Sequence, residues 1–161
     1  MAKSVRDKEW FCSRIEEYKL DLYRLALSIL KNDEDAKDAV SEAICRSYAR
    51  LGSLHDDEKF KPWIMRILAN CAYDILKKNR NVTSMEEGFE AAAEAENIEL
   101  RLSLKTEIMR LESDYRAVVV LFYYDDMSVR EISNVLHISQ NAVKTRLCRA
   151  RAMLAQRLGE T

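Results

Sequence analysis

Apolar side chains recur at helical spacing over most of the chain. Trp10, Phe11, Ile15, Tyr18, Leu22, Leu25, Ala26, Ile29 and Leu30 fall largely on one broad stripe, the pattern of a helix that buries one face. Lys31-Asn32 breaks the stripe. Asp33 is placed to cap a second helix carrying Ala36, Ala39, Val40, Ala43, Ile44, Tyr48 and Leu51, and Gly52 follows at a C-cap position. A third helix is expected from Glu58, with Pro62 tolerated in its first turn. It runs through Trp63, Ile64, Ile67, Leu68, Cys71, Ala72 and Ile75 to Lys77, Lys78 and Arg80. The pattern then lapses and resumes near Ile98, with Leu102, Leu104, Ile108 and Leu111. Val118, Val119, Leu121 and Phe122 form a segment apolar nearly all round, expected at the centre of a second core, with Ser113-Asp114 as its cap. A short unit from Ser128 to Leu136, a turn at His137-Ile138-Ser139 and a last helix from Gln140 to Leu158 complete the chain.

Composition narrows this to an all-α protein. The 161 residues include three Gly and one Pro, too few for the turns that hairpins and sandwiches require. The expected architecture is two small helical domains joined by a flexible acidic linker: residues 1–80, a linker over 81–97, and residues 98–161. The formal net charge of −1 excludes a uniformly basic polyanion binder. That total divides unevenly, +2 over residues 1–80, −5 over 81–104 and +2 over 105–161. Cys12, Cys45, Cys71 and Cys148 lie far apart, with neither a C-x-x-C pair nor a Cys/His cluster, so no metal or cofactor site is expected. No leader precedes Trp10 and no apolar run approaches the roughly 18 residues of a membrane span, which points to the cytoplasm.

The last two helices carry the clearest chemistry. Ser128-Val129-Arg130-Glu131 has capping-box spacing, and Val129, Ile132, Val135 and Leu136 give the short helix an inward stripe. Val143, Leu147, Ala150 and Leu154 form the matching stripe of the final helix, so the pair fits a helix-turn-helix. At roughly 100° per residue the opposite face presents Asn141, Thr145, Cys148 and Arg149, flanked by Lys144 and Arg146. Short polar groups and Arg can reach base edges while flanking cations meet phosphates. No Asp or Glu occurs from Ile132 to Gly159, against five cations, which favours an anionic partner over an ordinary solvated face. His137 occupies a turn position where Gly is common, and some backbone strain is expected there.

The third helix is dense in aromatic and cationic groups: Phe60, Lys61, Trp63, Arg66, Asn70, Tyr73, Lys77, Lys78 and Arg80. Rings that stack on unpaired bases beside cations that follow a backbone suit single-stranded DNA, although core packing is the favoured reading for Trp63 and Tyr73 taken singly and a solvated helix end accounts equally for Lys77, Lys78 and Arg80. Asn32-Asp33-Glu34-Asp35-Ala36-Lys37-Asp38-Ala39-Val40-Ser41-Glu42-Ala43, followed by Phe60-x-x-Trp63-Ile64-x-x-Ile67-x-x-Asn70-x-x-x-Asp74, resembles region 2 of bacterial extracytoplasmic-function (ECF, group 4) sigma factors of the sigma-70 family. Ser128 to Leu154, with Ala142-Val143-Lys144-Thr145-Arg146-Leu147-x-Arg149-Ala150-Arg151, resembles their region 4. Ser41 stands where that family usually has Gln, and Asn141-Ala142 where it usually has Gly-Thr.

The resemblance implies a promoter-specificity subunit of RNA polymerase without catalytic residues or cofactor. Core polymerase would dock on the second helix around Asp35, Asp38, Ala39, Glu42 and Arg46. The −10 element would be opened along the third helix, with Asn70 lining a pocket for a flipped base and Trp63, Arg66, Tyr73 and Lys77 nearby. The −35 element would be read as duplex by Asn141, Lys144, Thr145, Arg146, Cys148 and Arg149, nearly the set that the helical projection selects by itself. The family also implies control by an anti-sigma factor, often membrane-anchored. Two other readings remain at this point, a helix-turn-helix regulator that acts without polymerase and a helical adaptor that binds only proteins. An enzyme is disfavoured, because His55 and His137 stand alone and no nucleophile, paired carboxylates or phosphate loop emerges, and no small-molecule substrate is implied.

Overall fold

The structure, a computed structural model, describes residues 6–82 and 99–159, and among these no strand occurs. The acidic linker expected over 81–97 lies almost wholly outside the described residues. Helix α1 spans Lys8–Leu30, α2 Asp33–Ala49, α3 Phe60–Val82, α4 Glu99–Arg110, α5 Ser113–Val119, α6 Val129–Leu136 and α7 Gln140–Gly159. Between α5 and α6 the chain continues as a π-helical turn, Val120–Tyr124.

Helices α1, α2 and α3 form a three-helix bundle because each buries the stripe its sequence carries. Leu22, Leu25, Ala26 and Ile29 of α1 meet Ile64, Met65, Leu68, Cys71 and Ala72 of α3, all within 1% of complete burial. Helix α2 contributes Ala36, Ala39 and Ala43, fully buried, and such small side chains let its backbone approach the other two closely. At the open end, Phe60 anchors an aromatic cluster with ring centroids 5.7 Å from Trp10, 6.2 Å from Phe11, 6.0 Å from Tyr18 and 5.6 Å from Trp63.

Four boundaries differ from the sequence expectation, one of them at α5, where Ser113 is already helical and Glu112 precedes it as the N-cap with no side-chain cap bond. The N-cap of α2 is Asn32, whose side chain accepts from the Asp35 N–H, and Asp33 is the first helical residue. Asn in extended conformation leaves its amide oxygen free for the cap, and Asp33 and Asp35 then favour the positive end of the helix dipole. Gly52 is not a C-cap: α2 closes at Arg50, and Leu51–Ser53 forms a short 3-10 turn in which no glycine has positive φ. Helix α3 begins at Phe60 after another 3-10 turn, Asp57–Lys59, and continues past Arg80 to Val82.

The second unit is α4 to α7 around Ile108, Leu111, Val118, Val119, Leu121, Ile132, Val135, Val143, Leu147 and Ala150. Helices α6 and α7 are tied at both ends of their connection. The Ser128 Oγ accepts from the Glu131 N–H at 3.1 Å while Glu131 Oε1 accepts from the Ser128 N–H at 3.0 Å, the reciprocal cap expected from the sequence. His137 adopts the left-handed conformation, φ 60° and ψ 45°, and its N–H closes α6 on the Ser133 carbonyl. The Ser133 hydroxyl donates to the Ile138 carbonyl at 2.6 Å, and Ser139 Oγ accepts from the Ala142 N–H at 3.0 Å to start α7.

These two units share one continuous core. Helix α6 packs along α3, and α5 with the π-helical turn packs on α1. Two charges cross the seam. Arg116, 4% exposed, donates to the Ser28 carbonyl, to the Ile29 carbonyl at 3.4 Å and, within its own unit, to the Leu111 carbonyl. Helix α1 has no basic residue in its last turn, so Arg116 supplies from the other unit the cation that its C-terminal carbonyls attract. Burial pushes the guanidinium down to about 10, still protonated near neutrality. The second charge is Asp125, 2% exposed, which meets Arg24.

Replacing Ser128 by Ala removes one half of the capping box. Urea denaturation of the full chain should then show a loss of about 1 kcal/mol, and an unchanged midpoint would contradict the role given to the cap.

Candidate nucleic-acid interface

Helix α7 turns one face inward on Val143, Leu147 and Ala150 and the other to solvent. Asn141, Lys144, Thr145, Cys148 and Arg149 are all exposed on that outer face, and Arg146 is half-buried at its edge. The five cations of the helix are not equivalent. Arg151 donates to the Tyr123 hydroxyl at 2.5 Å and lies 5.6 Å from the centroids of the Phe122 and Tyr123 rings. Arg157 pairs with Glu107 at 3.5 Å, and Arg146 reaches Asp114 at 4.0 Å. Lys144 and Arg149 form no ion pair among the described residues. An unpaired Arg beside Thr145 and Asn141, on a helix presented by a capped turn, has the donors and the reach to read base edges in a major groove.

The stripe expected on α3 also forms, and its members differ in what they touch. Asn70 and Lys77 are exposed, with no side-chain hydrogen bond among the described residues. Trp63 is half-buried, packed on Phe60, and donates its indole N–H to Ser53 Oγ at 3.2 Å. Arg66 is exposed and donates from Nε to His137 Nε2 at 3.2 Å, so it touches the helix-turn-helix itself. Tyr73 is half-buried against the second unit; its phenol is pushed up to about 12, chiefly by burial and then by Asp114, against the opposing influence of Arg146 and Arg116. The rings are therefore packed on one edge and open on the other, which suits a platform with a fixed orientation.

On α2, Asp38 and Glu42 are exposed. Arg46 lies between helices, with Glu42 Oε2 at 2.9 Å and Asp74 Oδ2 at 3.7 Å, and Glu42 together with Asp74 helps hold its guanidinium pKa up. Asp35 is half-buried and accepts from the Asn79 side chain of α3 at 2.9 Å. Ala39 is fully buried in the bundle. Of the five α2 positions it alone offers no surface to a partner, because the spacing that joins it to Asp35 and Glu42 in the motif also puts it on the inward alanine stripe.

Sequence reasoning missed Arg116 and Asp125. The available signal was a lone Arg beside the apolar run from Ala117 to Phe122, since a cation placed among core residues needs acceptors from elsewhere. Among the described residues no group of His, Cys, Asp and Glu could hold a metal ion, and no helix is long and apolar enough to cross a membrane.

A helix-turn-helix with free cations on its second helix, tied to a helical bundle with an aromatic and basic stripe, defines a two-part reader of DNA. Residues 14–82 match the sigma-70 region 2 family and residues 101–154 the sigma-70 region 4 family. The chain is 30% identical over 152 residues to the RNA polymerase sigma factor SigV of Bacillus subtilis (strain 168), covering 93% of this chain and 92% of the relative. It is also 30% identical over 169 residues to the ECF RNA polymerase sigma factor SigW of the same organism, covering 94% and 90%. It belongs to the ECF RNA polymerase sigma factors. Its fold is that of the sigma factor RpoE from Bartonella quintana, solved in complex with the anti-sigma factor NepR, with a TM-score of 0.78, 22% identity and coverage of 96% of this chain and 98% of that one.

Arg149→Ala should weaken binding to duplex DNA bearing the −35 element by about 1–3 kcal/mol and relax preference at one base pair, measured by competition titration at fixed salt. A uniform loss across all sequences would make Arg149 a phosphate contact instead.

Proposed function

We propose that this chain is a group 4 sigma subunit that binds core RNA polymerase, reads the −35 element as duplex with α7 and opens the −10 element along α3, without catalytic chemistry of its own. Residues 1–80 act as the polymerase- and −10-binding domain, 81–97 as the connecting linker and 98–161 as the −35 domain. The observation that supports this reading is the coexistence on one chain of two differently built surfaces, the outer face of α7 and the α3 stripe. A duplex reader needs only the outer face of α7, with Asn141, Lys144, Thr145, Arg146, Cys148 and Arg149. A regulator or adaptor has no use for the α3 stripe, where exposed Asn70 and Lys77 accompany the half-packed rings of Trp63 and Tyr73 and the cation of Arg66.

Polymerase docks on the outer face of α2 through Asp38 and Glu42, with Arg46 and Asp35 at its edges and Ala39 packing the helix from beneath. Asn70 lines the pocket for a base taken out of the stack. Extruding that base costs a few kcal/mol, which hydrogen bonds to its edge and stacking on a ring offset. An anti-sigma factor anchored in the membrane holds the chain in the cytoplasm until a signal releases it. The complex solved for a similar fold, the sigma factor RpoE with the anti-sigma factor NepR, supports control by an anti-sigma factor.

Transcription in vitro with purified core RNA polymerase and genomic promoter fragments tests the reading. Specific initiation that depends on this chain is expected, whereas specific DNA binding without any effect on polymerase would establish a regulator. Asn70→Ala should impair promoter opening, read by permanganate reactivity, more than duplex binding; equal loss of both would remove Asn70 from the base pocket.

A further inference from the structure

The outer face of α7 is bordered by a second helix. From Ile132 to Gly159 the sequence has no Asp or Glu, so any side-chain carboxylate at this face comes from outside the helix-turn-helix. The start of α5 supplies two. A cleft of about 250 Å³ on one flank of α7 is lined by Thr145, Arg146 and Arg149 together with Glu112 and Asp114. Asp114 Oδ2 lies 4.0 Å from Arg146 Nη2, with the aspartate side chain 61% exposed and the arginine 27%. At about 100° per residue, Lys144 stands about 200° around the helix from Arg146, on the opposite flank. The two edges of the face therefore differ in kind: one carries a lysine, the other arginines opposed by two carboxylates.

Capping does not account for this pair. Glu112 occupies the N-cap position of α5 but makes no side-chain cap bond. Asp114 suits the positive end of that helix, yet its carboxylate also faces a cation of another helix.

The consequences for DNA are unequal. A phosphate is an anion, and both carboxylates oppose its approach to the Arg146 flank. A guanidinium already balanced within the chain also adds little to the sequence-independent part of binding, which comes from cations that take the place of counterions along the backbone. A base edge is uncharged. The guanidinium carries five N–H donors, and at 4.0 Å Asp114 engages Arg146 by charge rather than by a hydrogen bond, so those donors stay available to base acceptors. Repulsion of the wrong contact thus stands beside attraction to the right one.

We propose that Glu112 and Asp114 set the sequence selectivity of α7: they exclude phosphate from its Arg146 flank, hold down affinity for duplex of arbitrary sequence, and leave Arg146 and Arg149 to base edges. They are positioning residues, acting through the arginines and through repulsion of the backbone. The proposal rests on the reading of α7 as the −35 reader. Backbone contact that orients the helix in the groove then falls to the Lys144 flank.

The test compares the full-length chain with the double variant Glu112→Gln, Asp114→Asn. Fluorescence anisotropy gives the affinity of each for a −35 duplex from a promoter initiated in vitro and for a random duplex of equal length, from about 50 to about 200 mM salt. Random-duplex affinity should rise about three- to tenfold in the variant, and its salt dependence should steepen by about one phosphate contact. The −35 duplex should gain less, so the preference for it falls. Glu112→Asp with Asp114→Glu, which keeps both charges, should retain the parent's salt dependence and preference. Unchanged random-duplex affinity and salt dependence, with helicity intact, overturns the proposal, and so does an equal gain on both duplexes. Should the double variant lose helicity, Glu112→Gln alone, at a position whose side chain makes no cap bond, reads the same change at smaller size. If random-duplex binding strengthens as expected while the parent shows no preference for the −35 duplex, it is the −35 role of α7 that fails and the exclusion of phosphate that stands.

Discussion

Among the side chains that bridge the two halves of this molecule, one buried guanidinium ties the end of α1 to the second unit. Arg116 lies beside the buried aliphatic run from Ala117 to Leu121 and places its donors on the last carbonyls of α1 and on the carbonyl of Leu111, the residue after α4. Those carbonyls have no partner within their own helices, and a buried cation with no acceptors would be severely destabilising, so each side needs the other. Bringing them together lays α5 on α1, which in turn sets α6 along α3 and carries the helix-turn-helix to Arg66 and Tyr73. The positions of both DNA surfaces follow from that contact.

Much of the fold was legible because it depends on local periodicity. The stripes of α1, α2 and α3, the Ser128–Glu131 cap and the left-handed residue at His137 all follow from spacing and from the stereochemistry of short polar side chains. Boundaries shifted where two cap residues stood side by side, as at Asn32 and Asp33, because either can cap and only the backbone decides. The packing of the two units was not legible. It depends on Arg116, Asp125, Arg24 and Lys61 meeting across some ninety residues of sequence, and no local pattern encodes that pairing. A linker is compatible with domains held together or apart.

The same distinction applies to the interface. The outer face of α7 could be projected from a helical wheel, and the structure adds which cations are already engaged: Arg151 and Arg157 serve their own domain while Lys144 and Arg149 form no ion pair among the described residues. On α3 the wheel gave the stripe but not the partial burial of Tyr73 or the contact of Arg66. On α2 the motif gathered five positions, and Ala39 turned inward. Near-zero net charge is consistent with a subunit whose affinity for promoter DNA depends on polymerase.

The account stands on one chain engaging two DNA elements in different ways, one as duplex and one as separated strands. Footprinting a promoter bound by core polymerase with this chain, combined with permanganate probing of unpaired thymines, examines both at once. Protection over the −35 element together with reactive thymines confined to the −10 region is the result predicted. Protection at −35 with a fully paired −10 region, under conditions where the polymerase is bound, would contradict it.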